Sequence, residues 1–569
     1  VGVFQIESRA QMQSLRRTLP RDLDDLTVQV AIVRPGPIQG GAINPYIERR
    51  ARLREDPGYE IPYEHPSLEP VLSSTLGTII FQDQVVQVAE VFAGFSPGEA
   101  DGLRRAMSRK RSQEAMQGNR ERFIAGAMRH SGADTRTAQR VWEMVEGFAG
   151  FGFPKAHAAA FGLLAYQSTW LRVHHGPEFL CALLNEQPMG FYAPDSLVHE
   201  AQRRGIAVLG LDVNLSGVQC TVEAVGQERS VGQGSVGQRS VGKGSVGEEE
   251  GAGRGRAGDL LRVQDAGGSD ATAAGLGVRL GLGYVKGAVA EQVRELVAER
   301  ERGGQFRDLG DLAARTATCR ATLEQLAWAG ACDSLVDVDV DKGVGVGRRL
   351  ALWQLGIASP GELVGEGVQL ALPIELPPTP RLRSLDRWQR LLADYATSGV
   401  AVDDHALAIL RPRLSAAMPV TSAQLARLPH GCSVAVAGMV IARQRPGTAK
   451  GTMFLLFEDE WGTINLIVPG AVYERHRALA RAEPLLLARG RLERSPSGVL
   501  NVLVRELAAL ERFLAPGEAH DGVDGEGAHV SRLPGAGRSG EGEQDAAEMA
   551  ASMRAVAPPV ESFASGRRR

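Results

Sequence analysis

Apolar and polar positions alternate at helical spacing through the first 217 residues, with short breaks at proline and glycine. Residues 82–92 and 160–173 are two such stretches, and in each the apolar side chains can share one face of a helix. The pattern predicts a mainly helical domain over residues 1–217.

The pattern changes after residue 217. Five short Val-Gly units begin at Val225, Val231, Val236, Val241 and Val246, and they are too small and too glycine-rich to bury a core. They predict a flexible insert within a β stretch that occupies residues 218–280. The flanks of the insert, residues 218–222 and 278–282, are expected to pair.

The second half of the chain combines helical and β segments. Helical spacing returns over residues 281–336, and a proline-rich linker with one helical segment follows over residues 337–430. Residues 431–510 contain five β-type runs with one helical segment, 471–481, between the third and the fourth. This is the pattern of an OB-fold, a small β-barrel. The Gly-, Glu- and Arg-rich residues 511–569 predict a disordered tail.

Net charge, cysteine spacing and the distribution of apolar residues limit the classes of protein to which this chain can belong. The formal net charge is -3, so any nucleic-acid surface must be a local basic patch. The five cysteines lack the spacing of a zinc site and are expected to be thiols in a reducing compartment. With no signal peptide and no membrane-spanning run, the sequence predicts a cytoplasmic protein without membrane contact. Its start at Val1, within an apolar pattern, suggests a fragment.

A basic cluster occupies residues 103–111. On a helix, Arg104, Arg105, Arg109 and Lys110 can point toward one anionic partner, and phosphate suits the guanidinium fork. The alternative is a solvated helix face without a ligand.

A second segment, residues 150–161, joins small residues to Lys155, His157 and Phe161. Lys155 can neutralise a phosphate, and His157 and Phe161 can share a helical face that suits a nucleotide sugar and base. Core packing of the histidine and the phenylalanine is the alternative. Arg34, which precedes a stiff Pro-Gly-Pro turn, is a further candidate.

Five segments in a fixed order carry a family resemblance. They are VFQIESR (residues 3–9), RPGPIQGG (34–41), FQDQV (81–85), LRRAM (103–107) and GFGFPKAHA (150–158). Together they resemble the bacterial C-family DNA polymerases, the polymerase III alpha-subunit family, over roughly residues 1–510 without the insert. Residues 34–41 and 95–101 look most like the error-prone branch. Residues 108, 109, 111, 154 and 156 depart from the usual pattern of the replicative members.

The resemblance implies a multidomain protein: a mainly α fingers domain, a helix-hairpin-helix module, then an OB-fold barrel. It makes five residues candidates for contact with the incoming dNTP: Arg34, Arg104, Arg105, Lys155 and His157. In the family, Mg²⁺ is held by carboxylates of a palm domain that precedes the point where this chain starts. We therefore expect no catalytic residue in this chain, and reject the triplet Asp337, Asp339 and Asp341, which has no strand framework around it.

The resemblance also implies DNA contacts. A Gly-rich hairpin before a helical run opens the tandem helix-hairpin-helix predicted over residues 281–336, which would grip the DNA backbone. A simple loop between helices is the alternative. The candidate DNA-binding residues are Arg109, Lys110, Gly283, Lys286, Gly287, Arg443 and Lys450.

These expectations combine into one function. The chain is expected to be part of an error-prone DNA-directed DNA polymerase that acts in damage-induced mutagenesis and DNA repair. Its expected partners are primer-template DNA, dNTPs, mutagenesis accessory proteins and the sliding clamp, for which residues 369–372 offer a faint peptide motif. Two alternatives are a fragment of the replicative alpha subunit and a non-catalytic DNA-binding remnant. Magnesium-dependent primer extension separates polymerase from remnant.

Overall fold

The computed structural model describes residues 2–7, 9–33, 42–108, 113–147, 153–189, 192–225, 275–336, 346–358, 382–414, 418–446, 449, 451–495, 498–515, 543–558 and 560–564. The chain divides into two compact units, Val1–Val173 and His174–Arg569. The finer domain boundaries expected from the sequence, at residues 217, 280, 336, 430 and 510, stay predictions.

The first unit is helical in its described part. Its helices are α1 Arg9–Thr18, α2 Leu23–Ile32, α3 Ile43–Glu55, α4 Glu69–Leu72, α5 Gln82–Ala93, α6 Pro97–Ser108, α7 Gln113–His130, α8 Thr135–Glu146 and α9 Lys155–His174. Helices α5 to α8 pack around Phe92, Phe123 and Trp142. The ring centroid of Phe123 lies 5.9 Å from that of Phe92 and 5.3 Å from that of Trp142. Helix α5 stops at Gly94, whose φ of +67° suits a glycine at a helix end.

The helices of the second unit follow α9 and interleave with short strands. They are α10 Gly176–Asn185, α11 Pro194–Arg203, α12 Ala290–Gly303, α13 Leu309–Arg315, α14 Arg320–Trp328, α15 Val346–Ala358, α16 Arg387–Thr397, α17 Ala406–Leu410, α18 Ser422–Leu425, α19 Gly470–Arg475, α20 Arg477–Ala482 and α21 Glu543–Val556. Helices α12 to α15 share one apolar core, which includes Leu296, Leu312, Leu326 and Leu355.

A three-stranded sheet brackets the glycine-rich insert. Its strands are β1 Ala207–Leu209, β2 Thr221–Ala224 and β3 Leu276–Arg279, in the order β1-β3-β2. Strands β2 and β3 are antiparallel, with Val222 opposite Val278. The two flanks of the insert therefore pair as predicted, although the paired residues are shifted from those expected.

Five strands of the second unit close into a barrel. They are β4 Ser433–Arg445, β5 Met453–Glu458, β6 Thr463–Val468, β7 Leu485–Arg494 and β8 Leu500–Ala509. Their order is β5-β6-β8-β7-β4, and pairing of β4 with β5 completes the ring. Helices α19 and α20 lie between the third and fourth strands, as the sequence predicts. The predicted fold class, helices followed by a small barrel, is confirmed.

The predicted disorder of residues 511–569 is wrong for two segments. Helix α21 buries Met553 completely in a core that includes Trp388 and Leu510, and Arg554 forms ion pairs with Glu483 and Glu511. Strand β9, Glu561–Ala564, runs parallel to β4. The composition of the tail suggested disorder, but helical spacing of its few apolar residues supplies a face to bury.

Candidate functional site

Two of the predicted phosphate-binding residues share one carboxylate on α6. The Nη2 of Arg104 lies 2.7 Å from Oδ1 of Asp101, and the Nε of Arg105 donates to Oδ2 at 2.6 Å. Hydrogen bonds from Arg104 and Arg105 hold the pKa of Asp101 below its usual value. This triad carries a net charge of +1 from two guanidinium groups that already stand side by side.

The triad is accessible to solvent. The side chain of Arg105 is 70% exposed and that of Arg104 is 34% exposed. An arriving phosphate can therefore meet both guanidinium groups, and it competes with Asp101 for their N–H donors.

Lys155 and His157 lie in the first turn of α9. The backbone N–H of Lys155 donates to Oδ2 of Asp83 at 2.7 Å, and Gln82 N–H donates to the carbonyl of Phe153 at 3.0 Å. The Lys155 ammonium stands 5.9 Å from the ring centroid of Phe81. These contacts fix the start of α9 against the start of α5.

An aromatic series runs along the same helix start. The His157 ring lies 4.4 Å from the Phe161 ring and 5.0 Å from the Phe153 ring, centroid to centroid. Phe4 extends the series, 5.3 Å from Phe161, and is 52% exposed. Because the His157 side chain is exposed, the series offers a surface on which a sugar or base can stack.

The structure brings only some of the predicted nucleotide contacts together. Lys155 and His157 share one helical turn, while Arg104 and Arg105 lie on α6, which packs against α5. Four predicted residues lie outside the described residues, as do the insert, the peptide 369–372 and the rejected aspartate triplet. The four are Arg34, Arg109, Lys110 and Lys450.

The predicted Gly-rich hairpin is held by contacts inside the protein. The backbone N–H of Gly283 donates to the Val218 carbonyl at 2.9 Å, and the backbone N–H of Lys286 donates to the Thr397 carbonyl at 2.7 Å. The Lys286 ammonium donates to the Tyr395 carbonyl at 2.9 Å, and burial lowers its pKa. Gly287 turns the chain with a φ of +79° before α12 begins.

Arg443 is buried in the barrel, at 6% exposure. Its Nε donates to the Ala480 carbonyl at 3.0 Å and its Nη2 to the Glu483 carbonyl at 2.7 Å, which binds the end of α20 to β4. Burial lowers the pKa of Arg443 to about 10. Its guanidinium would have to leave both carbonyls to reach a DNA strand.

Comparison with known proteins bears on both units. Residues 1–131 match the bacterial DNA polymerase III alpha subunit finger domain, and residues 205–339 match the helix-hairpin-helix motif. The chain is 41% identical to the error-prone DNA polymerase of Anaeromyxobacter sp. (strain K) over 519 aligned residues. The aligned region covers 91% of this chain. The chain is 39% identical over 513 residues to the error-prone DNA polymerase of Mycolicibacterium paratuberculosis (strain ATCC BAA-968 / K-10), which covers 90% of this chain.

The resemblance to the bacterial C-family DNA polymerases, error-prone branch, is thereby confirmed. The chain spans about 40% of the length of these C-family relatives. A likeness to asparaginyl-tRNA synthetase from Pyrococcus horikoshii, at 22% identity over 16% of this chain, has a TM-score of only 0.14 and is too weak to bear on the fold. In the described part of the chain, no helix is both long and apolar enough to cross a membrane.

The chain also contains a buried polar cluster that the sequence analysis missed. His199 of α11, His405 before α17 and Glu458 at the end of β5 converge, and Arg203 Nη1 lies 2.7 Å from Oε1 of Glu458. The Nδ1 of His199 is 3.7 Å from Oδ2 of Asp195 and 3.6 Å from Oε2 of Glu458. The three residues are far apart along the chain, so no spacing rule could have joined them.

Charges shift the pKa values within this cluster in opposite directions. Burial lowers the pKa of His199, but Asp195 and Glu458 outweigh it and raise the value to about 9. Burial and the charge of His199 lower the pKa of His405 to about 3. Burial raises the pKa of Glu458, yet His199 and Arg203 bring it down to about 2.

Proposed function

We propose that this chain is part of an error-prone DNA-directed DNA polymerase. In this proposal the unit Val1–Val173 binds the incoming dNTP, and the later modules hold primer-template DNA. The observation that carries the proposal is the identity of about 40%, over nine tenths of this chain, to proteins named error-prone DNA polymerase. The match of residues 1–131 to a polymerase finger domain supports the assignment of dNTP binding to the first unit.

The triad on α6 supplies the triphosphate contact. Arg104 and Arg105 present two forked donors on one side of a helix, and both are partly neutralised by Asp101. Charge developing on the phosphates during phosphoryl transfer would strengthen their hydrogen bonds to these guanidinium groups. The carboxylate of Asp101 keeps both groups oriented before the nucleotide arrives.

The start of α9 supplies the second part of the nucleotide site. Lys155 acts as a point charge toward the phosphates, because its ammonium lies on an exposed surface beside Phe81. His157 lies beside the nucleotide sugar, and the aromatic series, in which Phe153 and Phe161 are partly buried against the core, continues toward the base. Arg34 is proposed as a further nucleotide contact.

DNA binding is proposed for the helix-hairpin-helix module and the barrel. The match of residues 205–339 to a helix-hairpin-helix motif supports backbone contacts without sequence specificity. Gly283, Lys286, Gly287, Arg109, Lys110, Arg443 and Lys450 remain the predicted contacts. Lys286 and Arg443 already donate to internal carbonyls, so each would have to leave its carbonyl partners to bind a DNA phosphate.

Nucleotidyl transfer in such an enzyme uses a divalent cation, for which we propose Mg²⁺. Magnesium prefers oxygen ligands with near-octahedral geometry. Within the described residues the convergent donor set is His199, His405 and Glu458, which is buried and rich in nitrogen, and it does not fit Mg²⁺. Mutagenesis accessory proteins, the sliding clamp and a role in damage-induced mutagenesis and DNA repair belong to the proposal for the whole protein.

The test measures binding of a fluorescent dNTP to the chain in the presence of primer-template DNA and Mg²⁺. The double variant Arg104→Gln/Arg105→Gln is expected to bind at least about 100-fold more weakly, because the two charge-assisted contacts together contribute about 3–6 kcal/mol. Arg140→Gln is the matched control, since Arg140 is also an exposed arginine in an ion pair, with Glu64. Unchanged dNTP affinity in the double variant would contradict the nucleotide site.

Primer extension tests the polymerase proposal separately. Magnesium-dependent extension by a protein that contains this chain and the remaining length of its relatives is the expected result. DNA binding without extension by that longer protein would favour a non-catalytic DNA-binding remnant.

A further inference from the structure

We propose that His199, His405 and Glu458 form a zinc site that connects α11 to the barrel. One ligand atom from each residue lies within 4.8 Å of the other two. The three come from different elements: the middle of α11, the residue before α17 and the last residue of β5. A single ion at this point would join three segments that are distant in sequence.

The cluster is sealed from solvent. The exposed fractions are 6% for His199, 8% for His405 and 0% for Glu458. Both ring nitrogens of His199, the Nε2 of His405 and the Oε2 of Glu458 are buried without a hydrogen-bond partner in the described structure. Buried polar atoms without partners are costly and uncommon, so four of them at one point require a ligand.

The donor set suits zinc. Two imidazoles and one carboxylate are common protein ligands of Zn²⁺, which accepts nitrogen and oxygen at about 2.0–2.2 Å. The ligand atoms are close enough to converge on such an ion with small side-chain rotations. In a tetrahedral site with these three protein ligands, a water molecule would be the fourth ligand.

The surrounding groups can act as an outer shell. Arg203 donates to Oε1 of Glu458, which leaves Oε2 for the metal. Asp195 lies 3.7 Å from the Nδ1 of His199 and accepts from Tyr395 Oη and Ala401 N–H. In metal sites, a carboxylate hydrogen-bonded to the second ring nitrogen orients the imidazole, and a small rotation of the His199 ring would bring Asp195 into that position.

His405 must change its hydrogen bonding when the metal binds. Its Nδ1 accepts the Leu407 N–H at 3.1 Å, which places the proton of the neutral ring on Nε2. Coordination through Nε2 moves that proton to Nδ1 and opens the contact with Leu407. The loss of one hydrogen bond is small beside the metal–nitrogen bond that replaces it, so metal binding prevails.

A metal-free charge network is the competing explanation. The His199 nitrogen stands 3.6 and 3.7 Å from its two carboxylates, beyond the range of a hydrogen bond. An imidazolium held by ion pairs would leave the Nε2 of both histidines without acceptors. The zinc site accounts for one orphan nitrogen of each histidine and for the carboxylate oxygen together.

The first experiment measures the metal content of the purified chain by mass spectrometry, without added metal. About one zinc per chain is expected. After removal of zinc by a chelator, Co²⁺ is expected to restore binding and to give the visible absorption of four-coordinate cobalt. The chelator is also expected to lower the midpoint of thermal unfolding. These measurements use the unaltered chain, so they hold even where a variant fails to fold.

His199→Gln and Glu458→Gln are expected to abolish both zinc retention and the cobalt spectrum. His430→Gln, an exposed histidine of the same unit, is the matched control and is expected to keep both. Two outcomes would overturn the proposal. One is a chain with no retained zinc and no cobalt spectrum, and the other is zinc retained equally by both variants.

Discussion

Single glycines decide how closely the helices of the first unit approach. A Cβ built on Gly126 of α7 would stand 2.3 Å from the carbonyl oxygen of Ala93, at the end of α5. Gly118, on the same helix, has no atom within 4 Å of such a Cβ. The two positions share one helix but only Gly126 is required by packing.

Gly126→Ala is therefore expected to destabilise the chain by about 1–3 kcal/mol, since the backbone of Ala93 cannot move without shifting α5. Gly118→Ala is expected to stabilise it by about 0.5–1 kcal/mol through helix propensity. Chemical denaturation of the two variants measures both effects. Equal stability changes in the two variants would contradict the close approach of α7 to α5.

Asp394 gives a residue-scale prediction about pH. Burial raises its pKa to about 6, although Arg348, whose Nη1 lies 2.7 Å from Oδ1, opposes the shift. Because the pKa of the folded chain exceeds the unfolded value of about 3.9, the folded state binds the proton more tightly. This contribution to stability is full below about pH 4 and is lost as the pH rises through about 6.

The stability of the wild type relative to Asp394→Asn is thus expected to fall by up to about 3 kcal/mol between pH 4 and pH 7. Thermal unfolding of both proteins across this range measures the difference. Glu143→Gln, an exposed carboxylate of α8, is the control and is expected to show no comparable trend. A pH-independent difference for Asp394→Asn would refute the raised pKa.

At the scale of elements, the barrel shows what a sequence pattern can predict. Five β runs and the intervening helical segment predicted the strands, because alternate residues must face the core. The direction of Arg443 could not be predicted. The pairing of β4 with β5 shifts register between Val440 and Ala442, and this bulge turns Arg443 toward the inside. A one-residue shift reverses the face of every later side chain.

The candidate sites also differ in how far the sequence alone could predict them. The order of motifs made Arg104, Arg105, Lys155 and His157 candidates for nucleotide contact, because each lies in a continuous segment of characteristic sequence. The cluster around Glu458 depends on how three separate elements pack, and nothing in the local sequence encodes that. Helix α21 was missed because a few apolar residues at helical spacing counted for less than the surrounding composition.

The sheet that brackets the insert allows an element-scale prediction. The N–H of Val225 donates to the carbonyl of Gly275 at 2.6 Å, so the two ends of the insert already meet. Replacing residues 226–274 by a four-residue Gly/Ser turn is expected to keep the fold and to stabilise it by up to about 2 kcal/mol. The gain comes from the lower entropy cost of closing a shorter loop.

Denaturation of this deletion variant measures the effect. A Gly/Ser segment of the original length is the control, and it is expected to leave stability unchanged. Loss of stability in both variants would mean that the insert makes contacts of its own that support the fold.

At the scale of the whole molecule, charge limits how this chain can bind DNA. A net charge of -3 gives no general attraction to a polyanion, so affinity must come from local cationic patches. Each phosphate contact adds about 0.9 to the slope of log affinity against log salt for duplex DNA. The slope therefore counts the contacts that a set of cations makes with DNA.

This count separates a nucleotide-binding role of the α6 triad from a DNA-binding one. If Arg104 and Arg105 bind the dNTP, their double glutamine variant keeps the salt slope of primer-template binding and loses only dNTP affinity. If they bind DNA phosphates, the slope falls by about 2. Fluorescence anisotropy of labelled primer-template, titrated at several salt concentrations without nucleotide, gives the slope. We expect an unchanged slope, because both guanidinium groups are bonded to Asp101 until a stronger anion such as a triphosphate displaces it.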